Sequence, residues 1–273
     1  MKQSALSIGQ FGRVLDWWET DGLSQGVHLI AASDHGHVTV HAQADLFETL
    51  EAEGLRCGPT PAAGIDAIVI SGQVGAIYLT ELSEKVIRRA VGALIERPWC
   101  RPMFTAGGAV DGIAPGSFGR HLVFADHPRS ADILFSFRSD DRLDPFGLSG
   151  RTWSANGPVG FGVHGGLHAK EISSVGILAG PLIKGGFASQ MPSRICDFAR
   201  TVLRLLGLSR AATMTGRPLA EVFIHDGEDP PCTVEKIYET SSGTYRQYLR
   251  RLQVGEAVYL DSADVVTRPT DVT

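Results

Sequence analysis

Ser33-Asp34-His35-Gly36 sets a carboxylate beside an imidazole directly after the apolar run Val27-His28-Leu29-Ile30-Ala31-Ala32. Asp and neutral His are both zinc donors, and a glycine behind them lets the backbone turn sharply. A strand ending this way would deliver its ligands to the crevice outside the carboxyl end of a sheet. With nine His and 30 Asp plus Glu in the chain, one adjacent Asp-His pair arises by chance, so the pair needs company.

That company is His164-Gly165-Gly166-Leu167-His168-Ala169-Lys170-Glu171, which closes a Gly-rich stretch and precedes a strand-like run over residues 174–179. Taken alone, His164 between glycines reads as a mobile loop histidine. His168 lies four residues on, but Gly165 and Gly166 break the helix that would put both on one face, which leaves His168 as a supporting or surface residue. Glu171 can orient His164 or a neighbouring loop by hydrogen bonds, or stand at the surface. His37 and His41 share a face if residues 36–41 are extended, yet His-Val-Thr-Val-His is equally an ordinary half-exposed strand. Asp126-His127 precedes Pro128 and reads as a turn.

The elements that must position these residues follow from periodicity. Phe11, Val14, Leu15 and Trp18 recur at helical spacing, and residues 44–54 repeat the pattern with Leu46 and Leu50. Residues 65–70 and 74–79 are strand-like, separated by Ser71-Gly72-Gln73, and Ser83 caps a helix with Val86, Ala90, Val91, Leu94 and Ile95 inward. Residues 101–105, 121–125 and 131–137 have strand character, and 138–163 reads as one long loop, a candidate rim for a site. A helix over 193–206 ends at Gly207. Beyond it, 234–240 and 257–260 can pair as a hairpin flanking 245–252, where Arg246, Arg250 and Arg251 look like the solvated face of a helix.

A third motif joins the first two: the amphipathic segment Ser193-Arg194-Ile195-Cys196-Asp197-Phe198, running on to Leu205-Leu206-Gly207-Leu208, then Met214-Thr215-Gly216-Arg217-Pro218-Leu219. In this order the three motifs resemble the C-terminal half of the alkaline phosphatase superfamily, most closely its type I phosphodiesterase / nucleotide pyrophosphatase branch, over about residues 11–224. The resemblance implies an α/β fold with a mainly parallel sheet flanked by helices. Residues 1–59 and 121–224 would be the two parts of that core, 60–120 a small α/β insert and 225–273 a β-rich extension. It implies that Asp34 and His35 bind one of two zinc ions and His164 the other, with His168 and Glu171 behind them. The activity implied is hydrolysis of a phosphodiester or nucleotide pyrophosphate in a small phosphate-ester substrate. Sulfatases share the superfamily but have no counterpart of the later metal-binding His, so His164 favours the two-metal branch.

Such enzymes also need an early Asp ligand, a Thr or Ser nucleophile and an Asp-x-x-x-His pair upstream of Asp-His-Gly. Only 33 residues precede Asp34, and no Asp in the chain has a His four places later. Three of six ligands are then present and no nucleophile is identified. The expectation is a chain inactive by itself, partnered by an N-terminal half-protein, or else a non-catalytic remnant that binds a partner.

Composition narrows the classes further. At 273 residues the chain can bury a full core. A net charge of −5 argues against a nucleic-acid binder, which needs a basic stripe against phosphate charge. Cys57, Cys100, Cys196 and Cys232 are far apart and read as small apolar residues rather than a disulfide frame. Residues 1–10 lack an apolar leader and no run reaches the roughly 18 apolar residues of a membrane helix, so the expectation is a cytoplasmic chain, or an exported one if its true start lies upstream.

Overall fold

The computed structural model describes residues 2–72, 74–225 and 232–267. Gln73 of the expected 71–73 turn, and residues 226–231 and 268–273 of the expected extension, lie outside the described residues. Along the chain come α1 (Lys2–Trp17), β1 (Leu29–Ala32), β2 (Val38–Gln43), α2 (Leu46–Ala52), β3 (Cys57–Gly58), β4 (Ala67–Ser71) and β5 (Val74–Leu79). These are followed by α3 (Glu84–Ile95), β6 (Cys100–Thr105), β7 (Phe118–Gly119), β8 (Ile133–Phe137), β9 (Ser139–Leu143), β10 (Ser149–Ser154) and β11 (Gly162–Val163). The remainder is α4 (Ala169–Ile172), β12 (Gly176–Ala179), α5 (Ile195–Leu205), β13 (Thr233–Ser242), β14 (Tyr245–Val254) and β15 (Ala257–Thr267).

The expected parallel sheet is overturned. Strands outnumber helices, 35% against 22%, and they form several mixed and antiparallel sheets. Parallel strands need a crossover, usually helical, whereas antiparallel ones need only a short turn. This chain supplies mostly short turns: β4 and β5 are an antiparallel hairpin, as are β9 and β10, and β13, β14 and β15 are joined by two-residue connections. Among the described residues, β3 pairs parallel with β4, β6 with β7 and β2 with β10.

The chain divides into two compact units. One holds residues 1–34, 174–234 and 253–259. In it β1 pairs antiparallel with β12, Leu29 opposite Ala179, and a small core gathers Ile183, Leu219, Val222 and Phe223 with Phe198 of α5 against it. The other unit holds residues 35–173, 235–252 and 260–273. Its six-stranded sheet runs β3-β4-β5-β8-β6-β7, and a four-stranded sheet runs β11-β2-β10-β9. Its main core packs α2 and α3, through Leu46, Leu50, Ile87, Val91 and Leu94, with Ile77, Ile133, Phe135, Met103 and Trp99. Period-two burial explains the sheet, as in Ala67 and Val69 of β4 or Ile133, Phe135 and Phe137 of β8. The strand, strand, helix, strand order expected over 60–120 is present as β4, β5, α3 and β6, joined to β8 in one sheet.

Three further expectations change. Residues 120–123 form a 3₁₀ turn rather than a strand, because Phe124 takes a left-handed conformation, φ 58°, that ends extended backbone. The stretch 138–163 is not one loop but carries β9, β10 and β11. The inward positions of β10 are Gly150, Thr152 and Ser154, so apolar alternation is absent although burial alternates. The segment 245–252 is a strand and not a helix, since Tyr245, Gln247 and Leu249 are buried at period two.

Candidate metal centre

His37 directly precedes β2 and His164 directly follows β11. These strands pair antiparallel with Val38 opposite Val163 and Thr39 opposite Gly162, so His37 and His164 fall at the next register position. Val38, Val40 and Val163 bury together and fix that register, because a one-residue slip of β11 against β2 would turn Val163 away from the other two. Thr39 Oγ1 donates to Asp144 at 2.7 Å, and Asp144 also accepts from the Phe146 and Leu148 amides, tying the β9–β10 turn to the same end of the sheet. The Thr39 hydroxyl, first, and those amides hold the Asp144 carboxyl below the usual carboxylate range.

His35 is brought in by its neighbour Gly36. The Gly36 amide donates to Glu171 O at 3.0 Å, and a Cβ on Gly36 would meet Lys170 O at 2.0 Å and Ser173 O at 2.7 Å. Only glycine allows the chain to lie this close to α4. The His35 ring stacks on His164, centroids 3.6 Å apart and 16° from parallel, and lies 4.9 Å from His37. His37 meets His164 edge-on at 5.2 Å. One nitrogen from each of the three lies within 4.8 Å of the others.

His35 Nδ1 donates to Gly36 O at 2.9 Å. A carbonyl can only accept, so the proton sits on Nδ1 and the lone pair on Nε2, which is how metal-ligating histidines are set up. Three neutral imidazoles are a donor set suited to zinc and other first-row ions. Two nitrogens on one zinc stand no more than about 4 Å apart, and here they lie within 4.8 Å, so ligation needs the stacked His35 and His164 rings to turn toward a common point. By residue type and spacing the three histidines could hold a single divalent cation.

Asp34, His35 and His164 were expected to converge at the carboxyl edge of a parallel sheet. His35 and His164 do converge, but at one end of a mixed sheet, beside the start of β2 and the end of β11. Asp34 is exposed and is not a member of the cluster. His168 caps α4, its Nδ1 accepting the Lys170 amide at 3.3 Å, with Nε2 3.7 Å from Asp141. Glu171 is 3% exposed and accepts from Ser139 Oγ and the Gly166 amide, each at 3.0 Å. It thereby pins the loop that carries His164 to β9. Burial raises the Glu171 carboxyl above its ordinary range, and the hydrogen bonds oppose that only in part.

His37 is the residue sequence reasoning set aside, because alternation made it look like one face of a strand. The available signal was its place two residues after His35, just before the apolar positions of β2. His41, its partner in that alternation, lies edge-on to Trp153 instead, and burial, then the Arg151 charge, lowers its pKa from 6.5. Among the described residues no helix is long and apolar enough to cross a membrane. A comparison of the chain with family models, with curated proteins and with solved structures finds no match.

Proposed function

We propose that His35, His37 and His164 hold one divalent cation, zinc by donor chemistry, and that the chain is the metal-binding part of a phosphodiester or nucleotide-pyrophosphate hydrolase. The observation that carries the reading is the meeting of His35 and His164, distant in sequence, with one nitrogen each and that of His37 inside 4.8 Å. Both histidines belong to the motifs that resemble the type I phosphodiesterases. A bound zinc ion supplies Lewis acidity to a phosphoryl oxygen. The protein's share is to hold neutral imidazoles in place: Gly36 O fixes the His35 tautomer, the β2–β11 register sets His37 against His164, and Glu171 anchors the loop behind His164.

The matched motifs supply no nucleophile, so in this reading the chain alone does not turn over a phosphodiester. Zinc content measured after dialysis tests the metal step. One zinc per chain is expected for the wild type and for Asp34→Ala, with loss in His35→Ala, His37→Ala and His164→Ala. Zinc retained in His164→Ala would overturn it. For the hydrolase step, bis(p-nitrophenyl) phosphate should be cleaved only when a polypeptide carrying an Asp ligand, a Thr or Ser and Asp-x-x-x-His is supplied. Robust zinc-dependent cleavage by residues 1–273 alone would require a nucleophile within this chain.

A second reading, a polypeptide-binding half-protein, is favoured by the apolar surface of the first unit. Phe11, Trp17, Val175, Ile177, Ile195 and Leu206 are all exposed there, beside a small buried cluster of Ile183, Leu219, Val222 and Phe223. Where such residues form one contiguous patch, they mark an interaction site. Co-expression with the product of the reading frame upstream, followed by copurification, separates this reading from a lone metal-binding chain.

A further inference from the structure

The first unit contains a cavity of about 560 Å³ with no counterpart in the metal chemistry. Its wall includes Arg200, Arg204, Arg210 and Arg217, against one carboxylate, Glu256. Arg217 is structural: it donates twice to Glu221, at 2.7 and 2.8 Å, and once each to Tyr259 Oη and Pro192 O. Arg204 lies in the last turn of α5, over the Phe223 ring, where a cation suits the helix terminus.

Those roles do not account for the other two. Arg200 sits one turn before Arg204 on α5, a like-charge spacing that is unfavourable in an isolated helix. Its Nη1 donates to Gly216 O at 2.9 Å, which holds the guanidinium at the wall rather than in solvent. Arg210 is exposed, lies beyond the helix, and has no hydrogen bond or ion pair among the described residues. The floor between these cations is apolar, formed by Met214, Pro218, Val254 and Ala257, the last two buried.

We infer that this cavity is a binding site for an organic phosphate, with the phosphate on Arg200 and Arg210 and an apolar body on the Met214–Val254 floor. Guanidinium groups pair with phosphate oxygens in a planar, bidentate way, and several converging on one cavity recognise a multiply charged anion. The volume falls within the roughly 300–1,000 Å³ of small-molecule sites, larger than a bare phosphate needs. An apolar floor would be wasted on inorganic phosphate. The inference is independent of the metal centre, since none of these residues belongs to the histidine cluster.

The test uses the full chain and titrates 1-naphthyl phosphate, with 1-naphthol and inorganic phosphate as comparison probes, by calorimetry. Saturable one-to-one binding of 1-naphthyl phosphate is expected, weakening as salt is added, with much weaker binding of either comparison probe. Arg210→Gln should weaken it by about tenfold, the loss of one charged hydrogen-bond partner. Ala212→Trp, which fills the cavity from an exposed loop while keeping every arginine, should abolish it. His164→Ala and chelator-treated protein should bind as the wild type does. The inference is overturned if 1-naphthyl phosphate shows no saturable binding, if Arg210→Gln and Ala212→Trp both leave it unchanged, or if His164→Ala removes it and so assigns the phosphate to the metal centre.

Discussion

The Glu171 carboxylate is buried with three hydrogen-bond donors around it, and burial still outweighs them. Its folded pKa lies above 4.5, so the native state binds this proton more tightly than the unfolded chain does. The stability that it contributes is therefore complete below 4.5 and is lost as pH rises through the folded value. Glu171→Gln keeps an acceptor for Ser139 Oγ or the Gly166 amide and removes the charge. Urea unfolding of both proteins at about pH 5 and about pH 8 should show the variant gaining relative to the wild type at the higher pH. An equal difference at both values would mean that Glu171 does not carry the titration. At this scale His35 and His164 were legible because each lies in a motif with glycine beside it. His37 was not, since a histidine in an alternating pattern carries no mark of what stands across the strand. Only the Val38–Val163 register reveals that neighbour.

At the scale of elements, the His35, His37 and His164 cluster depends on a backbone contact as well as on side chains. Gly36 lies against the last turn of α4, and any Cβ there meets two carbonyl oxygens that cannot rotate away. Gly36→Ala should therefore displace the 33–37 turn, carry His35 off His164 and reduce zinc binding as far as His35→Ala does. The strain should also cost about 1–3 kcal/mol of stability, as overpacking of a closed site does. Calorimetric zinc titration with denaturant unfolding checks both, and a Gly36→Ala protein with wild-type zinc affinity would show that the turn has room. The sequence marked this glycine as a turn but not as a contact, because the oxygens it faces lie far along the chain. The same limit hid β9, β10 and β14. The buried faces of β9 and β10 use Ser139, Thr152 and Ser154, and that of β14 sets Gln247 between Tyr245 and Leu249, its burial supported by Nε2 donating to Gly116 O at 2.7 Å. Hydrophobic periodicity finds strands that bury apolar side chains and passes over those that bury polar ones. The α3 helix and β4, β5 and β8 were readable because they bury Ile, Val, Leu and Phe in regular order.

Across the whole molecule the two units differ in how much apolar surface supports each hydrogen-bonded sheet. In the second unit β5 and β8 are interior strands of a six-stranded sheet, and Ile77, Ile133 and Phe135 on them are almost wholly buried against α2 and α3. In the first unit β1 and β12 form a two-stranded sheet in which no residue reaches full burial, with Ile177 within it and Val175 just before it both exposed. A two-stranded sheet is marginal in water, and the free energy of local opening follows the packed apolar contacts that opening would break. Native-state hydrogen exchange should accordingly find the amides of β5 and β8 among the slowest in the chain, opening only with global unfolding. Those of β1 and β12 should exchange faster by about two orders of magnitude or more, the equivalent of about 3 kcal/mol in opening free energy. Adding zinc should slow exchange at residues 35–38 and 163–166, because an ion that binds only the native cluster stabilises it by mass action. Equal protection of β1 and β5 would show that the first unit draws on stabilisation beyond its small apolar core. Unchanged exchange at 163–166 under saturating zinc would place the ion away from His164.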